Sequence, residues 1–322
     1  MSITSIENLS NEFFYELFDY LNGIHIYNGF SNLNHRFQQL LKSSSLLFKI
    51  EFFFPSDKLY KTIFKQLIYL KHQIYSFNLC IPLQDKHFFS SYPIDSSLNR
   101  LESLVFHRIG STILIQVLSN LTCLPRLFSL TTNISYGSTE LSDIYLLVFT
   151  LPKLKYFKCS TQYDGINISL PFSRKNQFST IEYLTINHFC TFNELSAILS
   201  YTSQLHHLKF SHGNDDSSVI GDILPIRLSN LTYISFNAHY IKFDEFTMLI
   251  KNLNCKLKAL RFITWSEDIT YLDANRWEEL ILKYLPELEK FYFFQYYEPI
   301  DNTHESLTYL KDFNQFISSF WI

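Results

Sequence analysis

Leu205-His206-His207-Leu208-Lys209-Phe210 is followed 26 residues later by Leu231-Thr232-Tyr233-Ile234-Ser235-Phe236, and after the same interval by Leu257-Lys258-Ala259-Leu260-Arg261-Phe262. The same six-residue form, L-x-x-L-x-F and its variants, stands upstream at Leu101–Phe106, Leu127–Thr132, Leu154–Cys159 and Ile181–Ile186, and downstream at Leu288–Phe293. Successive copies begin 26, 27, 27, 24, 26, 26 and 31 residues apart. A period of this size is the mark of stacked repeats. Residues four and six alternate with polar neighbours, as in a half-buried strand. Helical stretches are predicted between the strands over Thr112–Leu121, Leu141–Thr150, Phe192–Leu199, Asp244–Leu253 and Trp277–Tyr284. Asp244 is expected to cap the fourth, and Asn275 with Glu278 to form a capping box on the fifth. One strand and one helix cannot bury their apolar sides alone, so each unit needs the next.

Two weaker copies precede the series, Leu47-x-x-Ile50-x-Phe52 and Ile74-x-x-Phe77-x-Leu79. The predicted solenoid therefore spans 46–322. Its last stretch, His304–Ile322, spaces Leu307, Leu310, Phe313, Ile317 and Phe320 for one helical face and is expected to cap the final layer. The units resemble leucine-rich repeats of the strand-plus-helix kind. That resemblance implies an α/β solenoid with parallel strands inside and helices outside. The chain departs from the family at unit position nine, where Asn or Cys is usual. It has Ile109, Ser135, Gln162, Phe189, Gly213, His239, Trp265 and Tyr296 there.

Residues 1–45 break the period and read as three short helices. The first carries Phe13, Phe14, Leu17, Phe18 and Leu21 and is expected to end at Asn22-Gly23. Ile24, Ile26, Tyr27 and Phe30 suggest a second, and Leu33, Phe37, Leu40 and Leu41 a third. This segment resembles the F-box. The residues that carry the likeness are Leu9, Glu12, Leu17-Phe18-Asp19-Tyr20-Leu21, Phe30, Leu33-Asn34-His35-Arg36-Phe37 and Ser43–Ser45. The family's Pro is Ser10 here. The resemblance implies a small three-helix module that docks a Skp-type adaptor, and through it a cullin, while the repeats bind a target protein. Leu9, Glu12, Leu17, Phe18, Leu21, Phe30, Leu33 and Phe37 would then supply the module's core and its adaptor contact. The alternative is an amphipathic cap on the first repeat, in an interaction protein or scaffold with no ubiquitin-ligase link.

Strand alternation also predicts where a target would bind. Positions three, five and seven of each unit should face away from the core. Across the eight units none of these positions is Asp or Glu, although the chain has 30 acids against 27 Lys and Arg. The candidate target-binding set is Tyr156, Tyr183, His207 and Tyr233 beside Lys158, Lys209 and Arg261. Rigid rings give contact area and cations favour an acidic or phosphorylated segment.

Composition excludes several classes. A net charge of −3 gives no general pull toward nucleic acid or a membrane surface. Five cysteines without paired spacing read as reduced thiols, and no stretch reads as a leader or a membrane span, so a cytoplasmic or nuclear location is expected. There is no G-x-S-x-G, Walker loop, G-x-G-x-x-G, H-E-x-x-H or C-x-x-C. His206 and His207 are adjacent on a strand and point to opposite faces, which makes them poor joint metal ligands. No cofactor, metal or catalytic residue is therefore expected.

Overall fold

The structure, a computed structural model of the 322-residue chain, describes residues 6–52, 68–80, 89, 93–136, 140–162, 166–173, 178–212, 226–239, 241–265 and 268–295. The expected capping helix at 304–322 lies outside the described residues. The chain forms two compact units, one of residues 1–138 with 150–156, the other of 139–149 with 157–322.

The first unit opens on helices α1 (Asn11–Asp19), α2 (Gly23–Phe30) and α3 (His35–Lys42). Each starts on a polar cap: Ser10, Asn22 and Asn34 accept from Phe13, Ile24 and Phe37 N–H. Ser10 thus satisfies a free donor at the first helix end. The rings of Phe14, Phe18, Phe30 and Phe37 make the core of the three helices. Phe14 meets Phe37 edge-on at 4.8 Å and Phe18 meets Phe30 at 4.9 Å.

Strands β1 (Phe48–Phe52), β2 (Ile74–Cys80), β3 (Ser103–Gly110) and β4 (Ser129–Tyr136) follow in parallel and in chain order, with α4 (Ser111–Leu118) after β3. The helices are joined to β1 rather than tethered beside it. The Asn22 side chain donates to Glu51 O at 2.7 Å and accepts from Glu51 N–H at 3.3 Å. The buried Gln73 amide donates to the carbonyls of Leu41, Ser43 and Leu46 at 3.0, 2.7 and 3.1 Å. Gly23 does not end α1, as its sequence context suggests, but begins α2. A Cβ there would lie 2.6 Å from Ile50 Cδ1 and 3.0 Å from Phe48 Cβ, so this close approach needs a residue without one. The module therefore belongs to the same compact unit as β1–β4.

The second unit holds α5 (Ser142–Phe149), β5 (Tyr156–Thr161, from Phe157 on), β6 (Tyr183–Cys190), α6 (Phe192–Ser200), β7 (His207–His212), β8 (Ile226–Leu228), β9 (Tyr233–His239), α7 (Phe243–Asn252), β10 (Leu253–Cys255), β11 (Ala259–Trp265), α8 (Ala274–Tyr284) and β12 (Lys290–Gln295). Its main sheet runs β5-β6-β7-β9-β11-β12, with parallel pairing from β6 onward, and β8 pairs with β10 separately. The repeat is locked by one recurring bond pair. The carbonyl of each unit's second residue takes the N–H groups of the next unit's second and third residues. Glu182 O accepts from His206 and His207, His206 O from Thr232 and Tyr233, and Thr232 O from Lys258 and Ala259. Parallel strands in chain order with helices between them are the solenoid arrangement that the period predicts.

Positions one, four and six form the core: Leu205, Leu208, Phe210, Leu231, Ile234, Phe236, Leu257, Leu260 and Phe262 are all buried. Their rings layer along the stack. Phe210 stacks on Phe236 at 4.2 Å, Phe246 meets Phe262 at 4.4 Å, and Trp277 meets Phe291 at 4.8 Å. Trp277 is fully buried and its indole N–H donates to Tyr271 O at 2.8 Å.

The predicted helices are present with shifted ends and different caps. Asp273, not Asn275 with Glu278, caps α8, accepting from Asn275 and Arg276 N–H. Asp244 lies inside the first turn of α7 and pairs with Arg276. Asp268, from the following repeat, accepts from Phe243 N–H at 2.8 Å. A carboxylate at a helix start satisfies a free donor and meets the positive end of the helix dipole.

Candidate functional site

Two surfaces carry the residues singled out by sequence. The first is the outer side of the N-terminal helices. Of the eight residues expected to build the core and adaptor contact, Phe18 and Phe37 are buried and belong to the core. Leu9, Leu17, Leu21 and Phe30 are half-buried, Glu12 is exposed, and Leu33 is 53% exposed. The backbone bond at the helix start, then Ser10, holds the Glu12 carboxyl below its ordinary value.

Three residues of the first helix lie outside the expected adaptor set. Phe14 is the centre of the aromatic cluster. Phe13 and Tyr20 are 46% and 88% exposed. Residues 13, 17 and 20 fall on one helical face and 14 and 18 on the neighbouring one, so α1 has one apolar stripe turned inward and another turned out. Arg36 ties this face together by donating to Asn11 Oδ1 at 2.9 Å and to Leu9 O, with its guanidinium 5.5 Å above the Phe14 ring.

The second surface is the strand face of the second unit. Register places the predicted columns in cross-strand rows. Tyr183, His207, Tyr233, Ala259 and Lys290 form one row; Thr185, Lys209, Ser235, Arg261 and Tyr292 the next; Ser211, Asn237, Ile263 and Phe294 run through the third. In the first row Tyr183 stacks on His207 at 4.6 Å, and His207 meets Tyr233 at 5.4 Å. Burial, with His206 beside it, lowers the His207 pKa and favours the neutral ring. Lys209 and Arg261 are exposed; Ser235 and Ile263 are covered by their neighbours. Lys158 lies half-buried on β5 in the same unit, whereas Tyr156 falls in the first unit, so the predicted set is not one continuous patch of a single unit.

A further set of rings went unrecognised. At unit position nine, Phe189 packs edge-on to His239 at 5.0 Å, and His239 stacks on Trp265 at 4.6 Å. The signal was present as the departure from the family's Asn or Cys. Nearby, His188 is buried, with Nε2 at 2.7 Å from the Tyr145 hydroxyl and Nδ1 at 2.9 Å from Phe189 O. Burial pulls its pKa down to about 4. That network gives both ring nitrogens of the imidazole a partner.

Among the described residues no group of three or more His, Cys, Asp or Glu is placed to hold a metal ion, and no helix is long and apolar enough to cross a membrane. No family model matches the chain, and no curated protein matches it. Among solved structures the chain is similar to an internalin from Listeria monocytogenes, at 13% identity over 68% of this chain and 80% of that one, with a TM-score of 0.24. A likeness this weak carries no argument. The repeat architecture rests on the strand order, the register and the buried columns described above.

Proposed function

We propose that the chain is the substrate-recognition subunit of an SCF-type ubiquitin ligase. The N-terminal helices dock a Skp-type adaptor and, through it, a cullin. The strand face of the second unit holds a target protein by an acidic or phosphorylated segment. The chain supplies no chemistry of its own; its contribution is to keep the target within reach of the ligase. It works in the cytoplasm or nucleus and uses no cofactor.

The observation that carries this reading is the second apolar stripe of α1. Phe14 and Phe18 already complete the core. Phe13 and Tyr20, 46% and 88% exposed, and Leu33, 53% exposed ahead of α3, stand outside that core, with Leu17 half-buried between the first two. Exposed apolar residues grouped on one helix face mark an interaction surface. Together with the F-box-like residues in front of a repeat array, that surface fits an adaptor.

The test uses the full chain. Phe13→Ala with Leu33→Asp should abolish co-purification of the adaptor while lowering the melting temperature by no more than a few degrees, about what a loss near 1 kcal/mol gives. Undiminished adaptor capture by a folded double variant would remove the ligase reading. A second reading, a repeat scaffold with no ligase link, is favoured by the packing of α2 on β1 through Gly23 and the Gln73 bonds, which give the helices a capping task. It predicts that no adaptor accompanies the unsubstituted chain.

A further inference from the structure

The outer edge of β1 is closed by a side chain instead of a strand. β1 ends the order of its sheet, and among the described residues no strand pairs with its outer edge. The N–H and C=O of one residue point to the same edge of a strand, and successive residues alternate edges. Glu51 turns both groups outward. The Asn22 amide donates to its carbonyl at 2.7 Å, and the Asn22 side-chain oxygen accepts from its N–H at 3.3 Å. Lys49, two residues earlier, faces the same edge by that alternation. The Asn22 carboxamide therefore makes the two bonds that a paired residue on a neighbouring strand would make. Its oxygen also caps α2, accepting from Ile24 N–H at 3.0 Å. A helix start needs only an acceptor, which Ser or Asp supplies as well. The contact with Glu51 needs a donor too, and a carboxamide carries both on separate atoms.

The edge behind Asn22 is self-complementary. β1 reads Phe48-Lys49-Ile50-Glu51-Phe52, symmetric about Ile50 in its apolar residues and opposite in charge on the two sides. A two-fold, antiparallel pairing with β1 of a second copy, centred on Ile50, sets Lys49 opposite Glu51 of that copy and Phe48 opposite its Phe52. Both Lys49 and Glu51 turn their backbone groups outward, so each such pair exchanges its two N–H···O bonds. All of these bonds use the N–H or C=O of a Glu51, and those are the groups that Asn22 occupies. We infer that the β1 edge is a latent pairing surface for a second copy of this chain, and that Asn22 is the latch that holds it shut. An open edge invites strand addition. Gly23, next in sequence, seats α2 where a Cβ would lie 2.6 Å from Ile50 Cδ1, so the seated helix and the paired edge exclude each other. The inference is independent of what the outer side of the helices binds.

The experiment measures the mass of the full chain by light scattering as its concentration rises. Asn22→Ser keeps a cap on α2 and gives up the reach to Glu51. Gly23→Ala pushes α2 away from Ile50. Both leave the ring core of the helices and the Gln73 bonds in place. The double variant should pass from one chain to two with rising concentration, over a range in which the unsubstituted chain stays single. Adding Glu51→Lys sets two cations face to face across the edge and should return the variant to one chain. Exchanging the pair, Lys49→Glu with Glu51→Lys, in the same double variant should restore the dimer. Association through apolar surface bared by misfolding would not follow these charge changes. A double variant that stays single overturns the inference. So does association that Glu51→Lys leaves unchanged, or that the exchanged pair fails to restore. Pairing of the unsubstituted chain that Glu51→Lys abolishes overturns the latch.

Discussion

The N-terminal helices and the strand face of the second unit solve the same problem, separating core from surface, with different geometry. On a strand the separation is by parity. Leu208 and Phe210 go in, His207 and Lys209 stay out, and each neighbouring repeat obeys the same rule. On α1 it is by a rotation of about 100° per residue, so adjacent residues can take opposite tasks. Phe13 is exposed and Phe14 fully buried; Leu17 is half-buried and Phe18 buried. The lesson is that a surface made by parity can be listed from sequence, whereas a surface made by rotation needs the exact phase of the helix.

The strongest way to break this comparison is to substitute neighbours. Phe14 is in ring contact with Phe13, Phe18, Phe30 and Phe37 and has no exposure. Phe14→Ala should cost about 3–5 kcal/mol in urea unfolding, the usual loss for a buried ring plus its cavity. Phe13→Ala should cost less than about 1 kcal/mol. Similar losses at both positions would mean that α1 is rotated from the phase described, and the outward stripe would disappear with it.

The columns of the repeats were legible because eight copies reinforce one phase. The period gave the strand positions, and register put Tyr183, His207 and Tyr233 side by side as parity required. The helix starts were less legible because several carboxylates compete for one end. Asp273 rather than Asn275 caps α8, while Asp268 reaches α7 from the following repeat, a long-range bond with no local sign. The Thr191-x-x-Glu194 box on α6 did have a local sign, since Thr191 N–H meets Glu194 Oε2 at 2.7 Å in the spacing such boxes always use. The exposure of Phe13 and Tyr20 was hidden for the reason just given. Gly23 was misread because Asn-Gly stops one helix as readily as Asn starts the next.

Histidines sharpen the contrast between the two regions. His25 and His35 of the helices are exposed, whereas His188 of the second unit is buried with both ring nitrogens engaged. Burial lowers its pKa from 6.5 to about 4. Between those values the unfolded chain takes up a proton that the folded chain refuses. The His188 contribution is therefore complete above pH 6.5 and is lost as the pH falls toward about 4. By linkage its full size is on the order of 3 kcal/mol. His188→Gln should flatten the fall of unfolding free energy across this interval, even though it lowers stability at neutral pH. A variant as steep as the unsubstituted chain would assign the acid sensitivity elsewhere, to His212 or His239, whose pKa values burial also lowers.

The smallest expected effect bears most directly on what the strand face is for. If Lys209 and Arg261 were structural, their removal would be felt in the fold. Neither has a carboxylate partner among the described residues, and both side chains are exposed. Two like charges about 10 Å apart in water repel by roughly 0.4 kcal/mol, before salt weakens the effect further. Arg261 gives up at most a loose contact with Phe294. Lys209→Gln with Arg261→Gln should therefore leave unfolding free energy within about 0.5 kcal/mol of the original, as surface changes away from special features do. A loss well above 1 kcal/mol would make the two cations part of the scaffold. The face would then resemble the inward stripe of α1 rather than its outward one, and its cations could no longer be the reason to look for an anionic target.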